Sequence, residues 1–416
     1  MPCPYWICRD VTVWRLNFFC YFLNYYKNNY YFCNNLKDNK MKELNNPFVI
    51  GNYAGEHYFC DRVSESKELI DNILNGRNTV LVSHRRIGKT GLICHCFEQP
   101  EIRKKYNVFF VDILATMSLQ EFVLALGKEI IKSLKPKSTR FFDSLKNIFK
   151  SLRGGFKIDA QTGEPAFEIS LGDIDSPETT LDEIFRYLNV SEKPCVVAID
   201  EFQQIGYYPE KNVEALLRTK IQHCPNCKFI FAGSEKDMLI NMFNSPDKPF
   251  YQSATFMQIG KIDLSKYTDF VLRLFEENKK RIVEKFVETA YNSVDGVTLY
   301  IQFIMNELYQ IIPQNGEVTQ MLYDKSLEIL LNKQSFVYTN TLSELTVRQK
   351  EVLFALAKEE GDYEVTSANF IKKHNLNSPS SIQSSLKGLN AKRIVSSEDG
   401  KYVISDRLFR LWLRKM

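Results

Sequence analysis

Residues Leu81–Leu92 read "LVSHRRIGKTGL". The apolar run "NTVLVS" leads into this stretch, and "TGLICHCFEQ" leaves it with the composition of a buried helix. Strand, turn and helix around Gly88-Lys89-Thr90 form the context that a phosphate-binding loop requires. Such a loop works through geometry and charge. Backbone N–H groups curl around phosphate oxygens at a helix N-terminus, where the helix dipole adds positive potential. The candidate cradle is Ser83, His84, Arg85, Arg86, Ile87, Gly88, Lys89, Thr90 and Gly91. Lys89 would reach the outer phosphates of ATP, and the Thr90 hydroxyl would hold Mg2+. Ser83 stands where this loop ordinarily has its first glycine. Serine is small enough for the turn, so the motif is weakened without being broken.

Two further strand tips point the same way. "PCVVAIDEF" is an apolar strand ending in Asp200-Glu201. A carboxylate at a strand tip can hold the Mg2+ water shell, and its neighbour can polarise an attacking water. Asp200 is therefore a candidate metal residue with Thr90, and Glu201 a candidate catalytic base beside Lys89. An exposed acidic turn would read alike, so the third tip matters. "KFIFAGSE" ends in Ser234, whose hydroxyl can touch the γ-phosphate or the water. Ligands bind at the carboxyl ends of strands in parallel sheets, and the three tips follow the expected order.

Around these motifs the chain alternates strands and helices. "YNVFFVDIL" is a second buried strand, and "SLQEFVLALGKEIIKSL" a helix opened by Ser118. Continuous apolar strands between amphipathic helices predict a parallel sheet covered on both faces. The P-loop core is expected over 41–262. An insertion over about 135–175 mixes the basic amphipathic piece "FFDSLKNIFKSLRGG" with a hairpin-like "FKIDAQTGEPAFEISL". From 263 to 340 every segment has helical spacing. The remainder, 341–416, reads as three helices and a hairpin turning at Asp399-Gly400. Residues 1–40 carry four cysteines and many Tyr and Asn without a clear period. "MKELNNPFVIGNY" from Met41 reads as a natural start, so the preceding stretch is expected to be a non-native or disordered extension.

Composition bounds the rest. The chain has 416 residues, enough for two or three domains. A net charge of +4 does not support wholesale polyanion binding. No apolar run approaches the roughly 20 residues of a membrane helix, so no membrane partner is expected. The ten scattered cysteines fit a reduced, cytoplasmic chain better than a disulfide framework. Cys224 and Cys227 form a lone pair at C-x-x-C spacing, and without a second pair they do not predict zinc.

The runs "SHRRIGKT", "AIDEFQ" and "FIFAGS" resemble the archaeal-type ATPases of the STAND branch of AAA+ proteins. The resemblance covers roughly Asn46 to the C-terminus. It implies an α/β P-loop core of AAA+ type, an all-α lid and a C-terminal winged helix. It also implies that Phe48, Val49 and Tyr58 lie near the adenine, and that Arg62 and Glu68 belong to the entry segment. Two positions depart from the pattern. Thr298 in "DGVTLY" replaces the lid proline. "KPFYQSA" offers Gln252 and Ser253 where many members have an arginine, leaving Arg218, Arg85 and Arg86 as candidates for that charge.

In the C-terminal module Ser378 caps the third helix and Pro379 suits its first position. Leu386 and Leu389 face inward, leaving Ser380, Ser381, Gln383, Ser384 and Lys387 outward, as in a recognition helix. Lys372, Lys373, Lys387, Lys392 and Lys401 could face phosphates of double-stranded DNA. Winged helices also dock proteins, so a protein partner is the competing expectation. Three readings stand: an ATP-hydrolysing switch, an oligomeric DNA-binding initiator or loader, and a non-hydrolysing ATP-sensing scaffold.

Overall fold

The computed structural model describes residues 44–416 except 52, 135–144, 146, 159–164, 168–169, 361–362 and 399. The expectation for residues 1–40 lies outside the described residues, as does much of the insertion. Five strands form the parallel core sheet: β1 (Thr79–Val82), β2 (Asn107–Asp112), β5 (Cys195–Asp200), β6 (Cys227–Gly233) and β7 (Thr255–Gln258), in the order β2-β5-β6-β1-β7. β1 and β5 are buried along their whole length, which is why they read as unbroken apolar runs. Within the insertion, β3 (Phe156–Ile158) pairs antiparallel with β4 (Pro165–Phe167), giving the expected hairpin.

Helices return the chain between strands. α1 (Val63–Leu74) precedes β1 and ends before Gly76, whose φ of 72° supplies the left-handed turn that stops it. α2 (Lys89–Glu98) follows β1. α3 (Leu119–Leu134) and α4 (Pro177–Val190) lie between β2 and β5. α5 (Val213–Gln222) joins β5 to β6, and α6 (Lys236–Asn244) joins β6 to β7. Alternate residues of β1 serve opposite layers. Leu81 joins the apolar cluster under α1 and α2, while Val80 and Val82 join the one under α3 to α5.

The lid is α7 (Leu264–Glu277), α8 (Glu284–Ser293), α9 (Thr298–Ile311) and α10 (Gln320–Ser343). The winged helix comprises α11 (Val347–Lys358), α12 (Ala368–Lys373), α13 (Pro379–Ala391), the antiparallel pair β8 (Val395–Glu398) and β9 (Lys401–Ile404), and α14 (Arg407–Lys415). α10 continues past residue 340 to Ser343, and a three-residue link, Glu344 to Thr346, joins it to the last module. Tyr338 on α10 packs on Phe409 and Trp412 of α14 at ring distances of 4.8 and 5.6 Å. One apolar cluster runs from α1 and α2 through the lid into the winged helix. Each fully buried Leu, Ile or Phe in it contributes about 1.5–3 kcal/mol, which ties the three modules into one packed body. Among the described residues, no helix is long and apolar enough to cross a membrane.

Candidate functional site

The turn from β1 into α2 uses two left-handed residues, Arg86 (φ 68°) and Gly88 (φ 104°). The φ of Gly88 is one that side-chain-bearing residues rarely adopt, which explains the glycine there. Gly88 offers no side-chain cap to α2. The first N–H groups of that helix, around Lys89, Thr90 and Gly91, therefore lack intrahelical partners and form a positive, donor-rich concavity. Lys89 is buried, and its Nζ donates to Ser83 Oγ at 3.2 Å. Burial holds its pKa below the usual lysine value. Ser83 Oγ in turn donates to the His84 carbonyl at 2.8 Å. The serine in the first glycine's place thus anchors the loop lysine, a contact that residue size alone did not reveal.

The register of β2 on β5 sets Asp112 directly beside Asp200. Thr90 Oγ1 donates to Asp200 Oδ2 at 2.8 Å, joining the two residues expected at the metal. The second Asp200 oxygen accepts from the Glu201 amide at 3.0 Å. Burial, then the neighbouring Glu201 charge, raises the Asp200 pKa. Asp112 is pushed up to about 7 by burial and by Asp200. Its place was legible in "FFVDIL" as a carboxylate ending a strand, but its nearness to Asp200 needed the sheet.

Glu201 adopts φ 57°, which turns its side chain off the strand line. Its Oε2 accepts from Gln203 Nε2 at 2.5 Å and from Ser234 Oγ at 2.8 Å. Gly233 makes room for Gln203, because a Cβ there would sit 2.1 Å from Gln203 Oε1. Ser234 also accepts from Arg85 Nε at 3.1 Å. The three predicted tips therefore converge, with Glu201, Ser234 and Arg85 in one hydrogen-bonded chain.

The paired arginines part company. Arg85 turns to the β6 tip, and its Nη2 lies 3.8 Å from Glu235. Arg86 turns the other way, 3.7 Å from Asp406 of the winged helix and 5.0 Å over the Tyr300 ring. The loop carbonyls are held from outside as well. Ile87 O accepts from Arg62 Nη2 and from Thr298 Oγ1, each at 3.2 Å, and Arg86 O accepts from the Leu299 amide at 3.1 Å. Thr298, in the lid-proline position, thus ties the lid to the cradle.

The structure also places the other residues that the sequence singled out. Phe48 has no exposed surface and packs among Phe270, Phe275 and Tyr309, so it anchors the entry segment to the lid instead of facing a base. Val49 and Tyr58 keep partial exposure. Glu68 is exposed on α1, whereas Arg62 is buried against the loop. Arg218 donates to Gln222 on its own helix. Arg393 Nη2 pairs with Glu235 at 2.9 Å and Lys392 Nζ donates to the Glu344 carbonyl at 3.1 Å, while both residues stay exposed.

A family model described as an ATPase domain predominantly from Archaea matches residues 59–304, more than half of the chain. The chain belongs to this family of archaeal-type ATPase domains. A second model, a probable winged helix domain, matches residues 336–415. The chain is 24% identical over 346 residues to an uncharacterized ATP-binding protein of Methanocaldococcus jannaschii, covering 76% of this chain and 90% of that one. Among solved structures it is similar to the Walker-type ATPase of Pyrococcus abyssi, with a TM-score of 0.58 at 20% identity, covering 88% of this chain and 99% of that one. It is also similar to the Aeropyrum pernix ORC2 protein, solved as ADPNP–ADP complexes, with a TM-score of 0.53 at 13% identity, covering 91% and 97%. These two likenesses, with the winged-helix match, establish the P-loop fold and the winged helix that closes it. The family match and the relative support ATP as the ligand of this ATPase domain.

Proposed function

We propose that the chain hydrolyses ATP with Mg2+ and uses the cycle to set the position of its winged helix. One observation carries the reading: Thr90 meets Asp200 while Glu201 meets Ser234, all at adjoining strand tips beside the buried Lys89. The donor set fits a hard divalent cation. A hydroxyl and a carboxylate oxygen lie together, with the Asp112 and Glu201 carboxyl groups nearby. Thr90 and Asp200 would hold Mg2+, which when bound supplies charge neutralisation to the phosphate oxygens. Lys89 and the α2 amides bind the outer phosphates. Glu201 Oε2, held by Gln203 and Ser234, orients a water and takes its proton as oxygen attacks the γ-phosphorus. The bond to the bridging β–γ oxygen breaks, leaving ADP and phosphate.

The coupling follows from the loop's outer contacts. Arg86 and Ile87 are bonded to the lid and to Asp406 of the winged helix, so a change at the cradle loads both modules. ATP turnover, with and without Mg2+, tests the reading. Absence of turnover with intact ATP binding would favour a non-hydrolysing sensor. A second reading, duplex DNA as partner, is favoured by α13. There Ser380, Gln383, Ser384 and Lys387 are exposed while Ile382, Leu386 and Leu389 are buried, the division expected of a helix that enters a major groove. Turnover with added duplex, alongside solution mass with ATP, separates a lone switch from an oligomeric loader and from a module that docks proteins.

A further inference from the structure

Glu235 is the point where the nucleotide loop and the winged helix meet. Its Oε1 is shared by Arg393 Nη2 at 2.9 Å and Arg85 Nη2 at 3.8 Å, and its Oε2 accepts from Tyr207 at 2.8 Å. Arg85 also reaches Ser234, the residue bonded to Glu201. A continuous chain therefore links the water-polarising carboxylate to the winged helix: Glu201, Ser234, Arg85, Glu235 and Arg393.

The backbone at Arg393 adds an independent observation. It follows α13 in the left-handed conformation, φ 57°, with its amide bonded to the Asn390 carbonyl at 2.8 Å. Glycine is the usual residue at such a helix end, and another side chain there costs about 1 kcal/mol. The strain brings a side chain that glycine lacks, and that side chain reaches Glu235.

We propose that Arg85 is a γ-phosphate ligand, that Glu235 competes with the γ-phosphate for it, and that Arg393 relieves the competition when the winged helix is docked. The proposal rests on the ATP-hydrolase reading and names its regulator. One carboxylate oxygen cannot hold two guanidinium groups at full strength. While Arg393 occupies Glu235, Arg85 is held loosely, as its longer distance records. It is then available to the anionic γ-phosphate of ATP, which its Ser234 contact places within reach. When the winged helix swings away, Glu235 closes on Arg85 and the site loses a cation for the γ-phosphate. ADP has no γ-phosphate and is indifferent to this exchange. Linkage makes the effect reciprocal, so ATP favours the docked winged helix more than ADP does.

The test compares ATP and ADP affinities by calorimetry at low ionic strength, in the full chain carrying Glu201→Gln to prevent turnover. Arg393→Ala should weaken ATP by about two- to fivefold, the size expected of partly exposed ion pairs, and leave ADP unchanged. Glu235→Gln keeps the side-chain shape but removes the charge. It should restore ATP affinity in the Arg393→Ala chain, and Arg393→Ala should be silent in the Glu235→Gln background. Arg85→Ala should narrow the difference between ATP and ADP and also silence Arg393→Ala. Equal weakening of both nucleotides by Arg393→Ala, or a defect that persists beside Glu235→Gln, overturns the proposal while leaving ATP binding intact. If the Arg393-intact chain binds neither nucleotide, the ATP-hydrolase reading itself fails. The Arg85 and Arg393 side chains are 44% and 55% exposed, and Glu201→Gln and Glu235→Gln keep the side-chain shape, so loss of fold does not confound the comparison.

Discussion

Replacing Glu201 by glutamine removes one charge and leaves the shape. The carboxamide oxygen can still accept from Ser234 Oγ, now 2.8 Å away, and from Gln203 Nε2, now 2.5 Å away. The –NH2 group then takes the other oxygen's place. It donates and cannot receive the proton of an attacking water. Loss of a positioned general base costs about 10²–10⁴-fold in rate. At about 1.36 kcal/mol per tenfold, that raises the barrier by about 2.7–5.4 kcal/mol. ATP binding should hold or tighten. The Glu201 charge raises the Asp200 pKa, so its removal leaves Asp200 more firmly ionised and a better cation ligand. The assay is phosphate release in single turnover, with nucleotide affinity measured on the same sample. Glu201→Ala serves as a geometric control, since it also strips Ser234 and Gln203 of their acceptor. Hydrolysis within about threefold of the unaltered chain, with ATP bound normally, would refute the assignment and point to another group as the base.

Lys89→Ala removes the buried cation that Ser83 anchors. Calorimetry should then detect no ATP binding, and near-unaltered affinity would sink the phosphate-loop reading. Thr298→Pro places proline at the first residue of α9, where it is well tolerated, after Val297 at φ −75° and ψ 109°. The lost hydrogen bond to Ile87, worth about 0.5–1.5 kcal/mol, is offset by about 0.4–1 kcal/mol from a stiffer unfolded chain. Thermal melting should therefore shift by only a few degrees, whereas collapse of the fold would mean that Thr298 does more than tie the lid. Asp295→Ala strips Arg407 and Arg410 of a carboxylate held by each at 2.8 Å, with the Arg407 side chain only 2% exposed. Denaturant unfolding should record a loss of about 3 kcal/mol, the low end for breaking a buried pair because Asp295 is itself partly exposed. A change under about 1 kcal/mol would show that water replaces the carboxylate.

Much of the site was legible because phosphate-loop chemistry is local. The loop's glycine, lysine and threonine lie in one turn between a strand and a helix, and each candidate tip ends an apolar run that only a buried strand explains. Capping is local too: Gly76 and Ser378 announce helix ends from their own conformational preferences. What lay beyond reach depends on groups distant in sequence and on side chains long enough to choose. Asp112 meets Asp200 only through the register of β2 on β5. Phe48 reads as a candidate base contact until the lid closes over it. Arg85 and Arg86 are adjacent in the chain, yet one turns to the β6 tip and the other to the winged helix. A guanidinium on a flexible stem pairs with whichever carboxylate the folded modules bring near, and that choice, including the sharing of Glu235 with Arg393, is made by tertiary packing and not by the local run of residues.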